Sequence, residues 1–216
     1  MEFGRFGQMH FHFIHSTGHS MLRRFFKANK TNQTITQRLY AQIVAQARQR
    51  AFYSDFGVPD SLDGRFNMIV LHSFLLFNRL QSSGEAAQAL SQDIFDLFRL
   101  DMDHCLRELG VGDTSVPKRM KKMMQVFYGR SDGYKTALAA QDQQSELTDA
   151  LFRNILSYNE NFFARDSDAQ PNLPNSEGQA GALAAYVIGC VAHLETVDDA
   201  AILAGSLSFP DPAAYM

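Results

Sequence analysis

The side chains of this sequence that could support catalysis or bind a metal do not form a recognisable arrangement. The segment D101-M-D-H104 combines two carboxylates with a histidine, which are groups used in acid–base catalysis and metal binding. On a helix, however, Asp101 and Asp103 would project about 160° apart. His104 and Cys105 are adjacent and would also diverge. Since no nucleotide-binding loop or nucleophile elbow is present either, we expect no catalytic residue, no metal site and no cofactor.

His72 is a single candidate that lies inside an apolar segment. A hydrogen-bonded histidine that belongs to the core or lines a groove is more common at such a position than a catalytic base. An enzyme that pairs His72 with a carboxylate from another helix is an alternative hypothesis. It requires both groups to lie within hydrogen-bonding distance in a concave pocket.

The first twenty residues contain four of the seven histidines, namely His10, His12, His15 and His19. His15 and His19 could share a metal if this segment were helical, but its three glycines disfavour a helix. We therefore interpret residues 1–34 as a flexible N-terminal extension. Residues 1–20 of it are either non-native or upstream of a true start at Met21.

The segment S115-V-P-K-R-M-K-K-M-M-Q-V-F-Y-G-R130 interleaves basic residues with methionines and aromatics. On a helix, an apolar stripe at i, i+4, i+7 and i+11 would face away from a set of lysines. One interpretation is a core helix whose basic side faces solvent. The other is a deformable surface that binds a protein partner, anionic lipid or phosphate. The candidate partner-binding residues are Lys118, Arg119, Met120, Lys121, Lys122, Met123, Met124, Phe127, Tyr128 and Arg130.

A second basic segment, residues 21–30, has a net charge of +4 and apolar residues at helical spacing. Such a segment is typical of either a disordered basic tail or a peripheral contact with an anionic membrane. The candidate membrane-contact residues are Arg23, Arg24, Phe25, Phe26 and Lys27.

The composition is that of one folded domain, with 216 residues, 45% hydrophobic and 20% charged. The two cysteines lie far apart, which argues against a disulfide framework and fits a reducing compartment. Residues 1–130 carry 17 basic and 11 acidic side chains, net +6, whereas residues 131–216 carry 3 and 12, net −9. The overall net charge is −3, and the sequence pI of about 6.1 is far from that of a typical nucleic-acid-binding protein, so no sequence-specific nucleic-acid binding is expected. The apolar runs are too short to span a membrane.

Helical periodicity dominates from residue 35 onward, and no useful strand alternation occurs. The pattern predicts an all-α, single bundle-like domain of about six to eight helices over residues 35–212, followed by a tail, 213–216. The helix over 65–81 is apolar on most sides and is predicted to be central. Gly110 is predicted to end a helix that starts near residue 85. The predicted helices cover 35–53, 65–81, 85–109, the 115–130 segment, 131–141, 144–158, 178–195 and 198–205.

Several blocks of the sequence resemble the ubiquinol–cytochrome c chaperone family in order and spacing. The first blocks are L39-Y-A-Q-I-V-A-Q-A-R48, F52-Y with F56-G-V-P-D60, and D63-G-R-F-N-M-I-V-L-H72. The later ones are M102-D-H-C-L-R-E-L-G-V111, V116-P-K-R-M-K-K-M123 with F127-Y-G-R130, and I202-L-A-G-S-L-S-F-P-D211. Together the blocks extend from about residue 38 to residue 212.

This resemblance implies a helical, non-enzymatic chaperone that acts in assembly of the cytochrome bc1 complex. The implied partner is newly made cytochrome b or another bc1 subunit, with the ribosome nearby. For a bacterial-type member the implied location is the cytoplasm, peripherally at the cytoplasmic face of the inner membrane. The alternative function is an RNA- or ribosome-associated module that uses the Lys118–Lys122 basic face.

Overall fold

The computed structural model describes residues 30–157, 162–163 and 177–216, and within them every regular element is helical. The all-α prediction is therefore confirmed. The helices are α1 (Lys30–Ala47), α2 (Arg50–Ser54), α3 (Leu62–Leu80), α4 (Glu85–Glu108), α5 (Val116–Leu138), α6 (Gln143–Leu151), α7 (Glu177–Thr196) and α8 (Asp199–Leu203). A π-helical turn, Phe152–Leu156, continues α6, and a 3₁₀ turn, Pro212–Tyr215, lies near the C-terminus.

The central helix is α3, as its apolar sequence predicts. It packs against α4, α5 and α7 and buries most of its residues on all sides. Its start is fixed by Ser61, whose hydroxyl accepts a hydrogen bond of 3.0 Å from the amide of Gly64. Burial on every side explains why this helix also carries buried polar residues, which are Asn67, His72 and Ser73.

The single helix predicted over residues 35–53 is divided into α1 and α2. Gln49 adopts an extended backbone conformation between them, although neither glycine nor proline marks the position. The break turns Phe52 into the core, where its ring lies 5.1 Å from the ring of Tyr186. Tertiary packing of an aromatic residue therefore sets this boundary rather than local propensity.

A hairpin of α4 and α5 forms one side of the core. Gly110 ends α4 with a positive φ of 79°, as predicted. The amide of Gly110 donates to the carbonyl of Arg107 and the amide of Val111 donates to that of Leu106, which is the Schellman arrangement. Aromatic contacts join the two helices, since the Phe127 ring lies 5.1 Å from Phe95 and 5.4 Å from Phe98.

The α5 helix is continuous through Gly129 and Gly133, whereas the sequence predicted a new helix after residue 130. Neither glycine packs closely against other elements, since a Cβ at either one would meet open space. The buried face continues instead through Arg130, Tyr134 and Ala137, which recur at helical spacing after Phe127. Packing along this face overrides the helix-weakening effect of the two glycines.

The C-terminal segment closes the core beside α7. Gly205, at a φ of 86°, ends α8, and the chain then runs back across α1 and α7. Phe209 packs against His72 with ring centroids 5.2 Å apart, and Tyr215 packs against Tyr186 at 5.6 Å. Tyr215, which belongs to the predicted tail over residues 213–216, thus packs against α7.

Candidate partner-binding face

The apolar stripe of α5 belongs to the core. Val116 and Met123 have no exposed surface and Phe127 is only 4% exposed, because α4 covers this side of the helix. Met120 and Met124 are half-buried at the edge of the hairpin. Met123 and Phe127 were expected among the partner-binding residues, and the structure places them inside the core instead.

Arg130 also lies in the interior, with 3% of its surface exposed. Its Nη1 donates a hydrogen bond to Oδ1 of Asn67 on α3. Arg130 was listed among the candidate partner-binding residues, and the structure places it inside the core instead. Its position on the helix, one turn after Phe127, places it on the buried side, where a guanidinium must be hydrogen-bonded.

The opposite side of α5 is exposed and basic. Lys118, Lys121 and Lys122 are exposed, and residues 116–131 contain no acidic side chain. The Lys122 ammonium lies 5.5 Å from the centroid of the Phe162 ring, and Arg119 donates from Nη1 to the Phe162 carbonyl at 2.6 Å. Arg119 and Lys122 therefore also hold residue 162 against α5. Lys118 and Lys121 project into solvent.

Tyr128 lies on the edge of α5 that faces α4. Its side chain is 40% exposed, and one face of the ring packs 5.7 Å from the ring of Phe95. Partial burial raises the pKa of the Tyr128 hydroxyl. We define the α5 face as the exposed or half-buried members of the predicted set: Lys118, Arg119, Met120, Lys121, Lys122, Met124 and Tyr128.

His72 is fully buried and serves the core. Nδ1 lies 2.8 Å from the Met68 carbonyl, which can only accept, so Nδ1 carries the proton. Nε2 then accepts from the Tyr186 hydroxyl at 2.8 Å, and that hydroxyl oxygen accepts from Nε2 of Gln46 at 3.0 Å. Burial lowers the pKa of His72 to about 4. These partners are not carboxylates, so the geometry gives no support to the hypothesis of a His72–carboxylate pair.

Two features of the structure were absent from the sequence analysis. The first is the hydrogen-bond chain from Gln46 through Tyr186 to His72, whose members lie far apart in the sequence. The second is Arg79, which binds the C-terminal end of α7 through the carbonyls of Leu194 and Val197. The sequence shows Arg79 as a charged residue at the end of an otherwise apolar helix, but it does not indicate which groups Arg79 binds.

The candidate membrane-contact residues Arg23, Arg24, Phe25, Phe26 and Lys27 lie outside the described residues, as do the N-terminal histidines. Across the described ranges, no helix has the length and apolarity needed to cross a bilayer. In those same ranges, no three His, Cys, Asp or Glu side chains are grouped as metal ligands.

The fold defines an all-helical protein with an exposed basic face on α5. The family model for the ubiquinol–cytochrome C chaperone matches residues 54–209. The chain therefore belongs to the ubiquinol–cytochrome c chaperone family, as its sequence blocks predicted.

Two relatives support this assignment. The crystal structure of the Cbp3 homolog from Brucella abortus aligns with a TM-score of 0.72 and 42% identity, covering 89% of this chain and 98% of that one. The ubiquinol–cytochrome-c reductase complex assembly factor 1 of Xenopus laevis is 24% identical over 120 residues, which is 56% of this chain. That match spans 59% of the Xenopus protein's length.

Proposed function

We propose that this protein is an assembly chaperone of the ubiquinol–cytochrome c reductase (bc1) complex. The family match carries the proposal, together with the Xenopus relative, whose name makes it an assembly factor of that complex. The client is newly made cytochrome b or another bc1 subunit, and the chaperone acts peripherally at the cytoplasmic face of the inner membrane. The role requires binding and release and no chemical step.

The α5 face is the surface that we assign to client binding. Lys118 and Lys121 are exposed, and Met120, Met124 and Tyr128 supply adaptable apolar surface beside them. A methionine side chain can repack against varied partners, and a tyrosine is a frequent anchor in interfaces. Lysines at the rim chiefly raise the rate of association with an acidic or lipid-bound partner.

Deletion of the gene in the organism of origin tests the overall role. The levels of cytochrome b and of assembled bc1 complex should both fall and should recover when the wild-type gene is restored. Blue native electrophoresis and immunoblotting measure the two levels. Normal amounts of both in the deletion strain would reject the proposal.

Photo-crosslinking tests the surface. A benzoylphenylalanine placed at Lys121 should crosslink to cytochrome b or another bc1 subunit during assembly. The same probe at Arg153, which is also exposed but lies in the π-helical turn, is the matched control. Equal crosslinking from both positions, or none from either while the deletion lowers the complex, would reject the α5 face and leave the assembly role standing.

The N-terminal segment supplies a further part of the proposal. Arg23, Arg24, Phe25, Phe26 and Lys27 are proposed to contact anionic lipid, because they combine basic and aromatic side chains in one short stretch. Cosedimentation with phosphatidylglycerol vesicles should fall in an Arg23→Glu/Arg24→Glu variant. Unchanged cosedimentation of that variant would contradict the contact.

An RNA- or ribosome-associated role is the second candidate, since residues 116–131 present exposed lysines without a single carboxylate. Contacts with phosphate weaken steeply as salt is raised. Binding to purified ribosomes should therefore decrease with salt and with Lys118→Glu/Lys121→Glu. Ribosome binding that is insensitive to both would exclude this use of the α5 face.

A further inference from the structure

Phe162 is held between the start of α3 and the N-terminal half of α5 by side chains that contact its amide, its carbonyl and its ring. The amide donates a hydrogen bond of 2.9 Å to Oδ1 of Asp63, and the carbonyl accepts one of 2.6 Å from Nη1 of Arg119. The Lys122 ammonium lies 5.5 Å from the centroid of the Phe162 ring. The Phe66 ring meets it edge-on, with centroids 5.4 Å apart and an angle of 63° between the planes.

These four contacts recognise a phenylalanine as part of a polypeptide. A carboxylate and a guanidinium bind the peptide N–H and C=O of one residue, and hydrogen bonds to charged groups are stronger than those between neutral groups. An ammonium facing the ring and a second ring meeting it edge-on both favour an aromatic side chain over an aliphatic one. All four contacts are made to residue 162 itself. The chemistry therefore specifies one aromatic residue with its own backbone groups.

The place that Phe162 occupies is formed by two regular helices. The four side chains that contact it are two pairs spaced three residues apart, one pair on α3 and one on α5, so each pair lies on one side of its helix. Phe66 is 1% exposed, and the Phe98 ring stacks on it at 6.1 Å. Phe162 itself is 3% exposed. Removal of the Phe162 side chain would therefore leave a pocket with an aromatic floor and charged groups at its edge.

This pocket is continuous with the α5 face. Arg119 and Lys122 belong to both, and the exposed Lys118 and Lys121 lie beside them on the same helix. A client that lies along the α5 face therefore reaches the pocket. A polypeptide that has not yet folded or assembled exposes aromatic side chains together with backbone N–H and C=O groups that lack partners. Those are the groups that the side chains around Phe162 bind.

We propose that Asp63, Phe66, Arg119 and Lys122 form a binding site for a phenylalanine of the client polypeptide, and that the protein's own Phe162 fills this site until the client binds. The inference rests on the proposed chaperone function, and it assigns a chemistry to the client segment that the α5 face receives. Binding exchanges one phenylalanine for another, so the charged groups of the site keep a hydrogen-bond partner in both states.

Titration of the full chain with N-acetyl-glycyl-phenylalanyl-glycine amide, followed by ¹H–¹⁵N NMR, tests the site. Phe162→Ala, which vacates the site, should bind this peptide saturably and about tenfold or more tightly than the wild-type protein, in which Phe162 competes. Phe162→Leu, which keeps an apolar side chain without the ring, should show a smaller gain. N-methylation of the phenylalanine removes the N–H that Asp63 accepts and should weaken binding about tenfold. The absence of saturable binding to both variants, equal affinity of the wild-type protein, or equal binding of the N-methylated peptide would overturn the proposal.

Photo-crosslinking in cells separates exchange from a purely structural role of Phe162. With benzoylphenylalanine at Lys121, Phe162→Ala should crosslink more of the bc1 subunit than the wild-type protein, whereas a structural role predicts less. Phe163→Ala is the matched control, because the Phe163 ring also contacts Phe66, at 6.2 Å, and it should leave the yield unchanged. A reduced yield in Phe162→Ala, or an equal change in both variants, would overturn the exchange. The absence of crosslinks from the wild-type protein would reject the α5 face, whereas the peptide titration tests the phenylalanine site independently of it.

Discussion

The centre around His72 and the exposed face of α5 use polar side chains in opposite ways. Around His72 a connected chain of hydrogen bonds runs from Gln46 through Tyr186 and His72 to the Met68 carbonyl. On α5, Lys118 and Lys121 project into solvent without an ion pair to any described residue. The first arrangement holds distant parts of the chain together, and the second leaves charge available for another molecule.

Residue type alone therefore does not show whether a polar side chain stabilises the fold or is available to bind a partner. A histidine in an apolar helix and an arginine in a basic segment both looked like functional candidates, yet His72 and Arg130 are interior hydrogen-bonding groups. Lysines of the same segment are exposed. Mutations in the first region should therefore act on stability, and those on the α5 face should act on binding.

The largest effect is expected for Phe127→Ala on the buried side of α5. The Phe127 ring contacts those of Phe77, Phe95 and Phe98, so its removal leaves a cavity in the hairpin. The free energy of unfolding should fall by about 3–5 kcal/mol. Lys121→Ala on the opposite side should change it by less than about 0.5 kcal/mol. Similar losses of unfolding free energy in both variants, measured by urea unfolding, would contradict this difference between the two sides of α5.

Acid should weaken the centre around His72. The pKa of His72 is about 4 in the folded protein, against an ordinary value of 6.5 for histidine, so the unfolded chain binds the proton first as pH falls. Stability contributed by neutral His72 is full above pH 6.5 and is lost between pH 6.5 and about 4, by about 3 kcal/mol.

Chemical denaturation at a series of pH values measures this loss. In His72→Gln the dependence on pH over the same window should become shallower, since the buried titrating group is gone. If the free energy of unfolding depended on pH equally strongly in that variant, His72 would not be the cause of the loss.

Arg79→Met should lower the free energy of unfolding by about 2 kcal/mol. It removes the charged donor that joins the end of α3 to the carbonyls of Leu194 and Val197. The exposed Arg50→Met, at the start of α2, is the matched control and should have little effect. Equal thermal stability of the two variants would contradict the role of Arg79 as a link between helices.

The smallest effect on stability is expected for Lys118→Glu/Lys121→Glu. Both side chains are exposed near the N-terminal end of α5, where the helix dipole favours negative charge. The free energy of unfolding should change by less than about 1 kcal/mol, while binding of the client by the α5 face should be lost. A large destabilisation measured by urea unfolding would show that these lysines are structural.

Much of the fold could be predicted from periodicity and caps. The apolar sequence of α3 and the glycine at the end of α4 are local signals, and the structure follows them. The break at Gln49 and the continuity of α5 through its glycines depend on packing between helices. Local sequence does not encode such packing, so both boundaries were misplaced.

Only part of the candidate site could be predicted from the sequence, for the same reason. The helical wheel correctly separated an apolar side of α5 from a basic side. It could not show that α4 covers the apolar side. Arg130 was listed among the partner-binding residues, and its buried position beside Asn67 depends on α3. The partners of Arg79 and Tyr186 come from segments more than a hundred residues away, beyond the reach of any local pattern.

The most direct test of the account measures bc1 assembly in cells that carry the Lys118→Glu/Lys121→Glu variant in place of the wild-type protein. The control strain carries Arg50→Glu/Arg153→Glu, which makes the same change of charge at exposed positions outside α5. At equal chaperone levels, the account predicts reduced cytochrome b and assembled complex in the first strain only. Normal assembly in the first strain, or an equal reduction in both, would contradict the assignment of chaperone function to the α5 face.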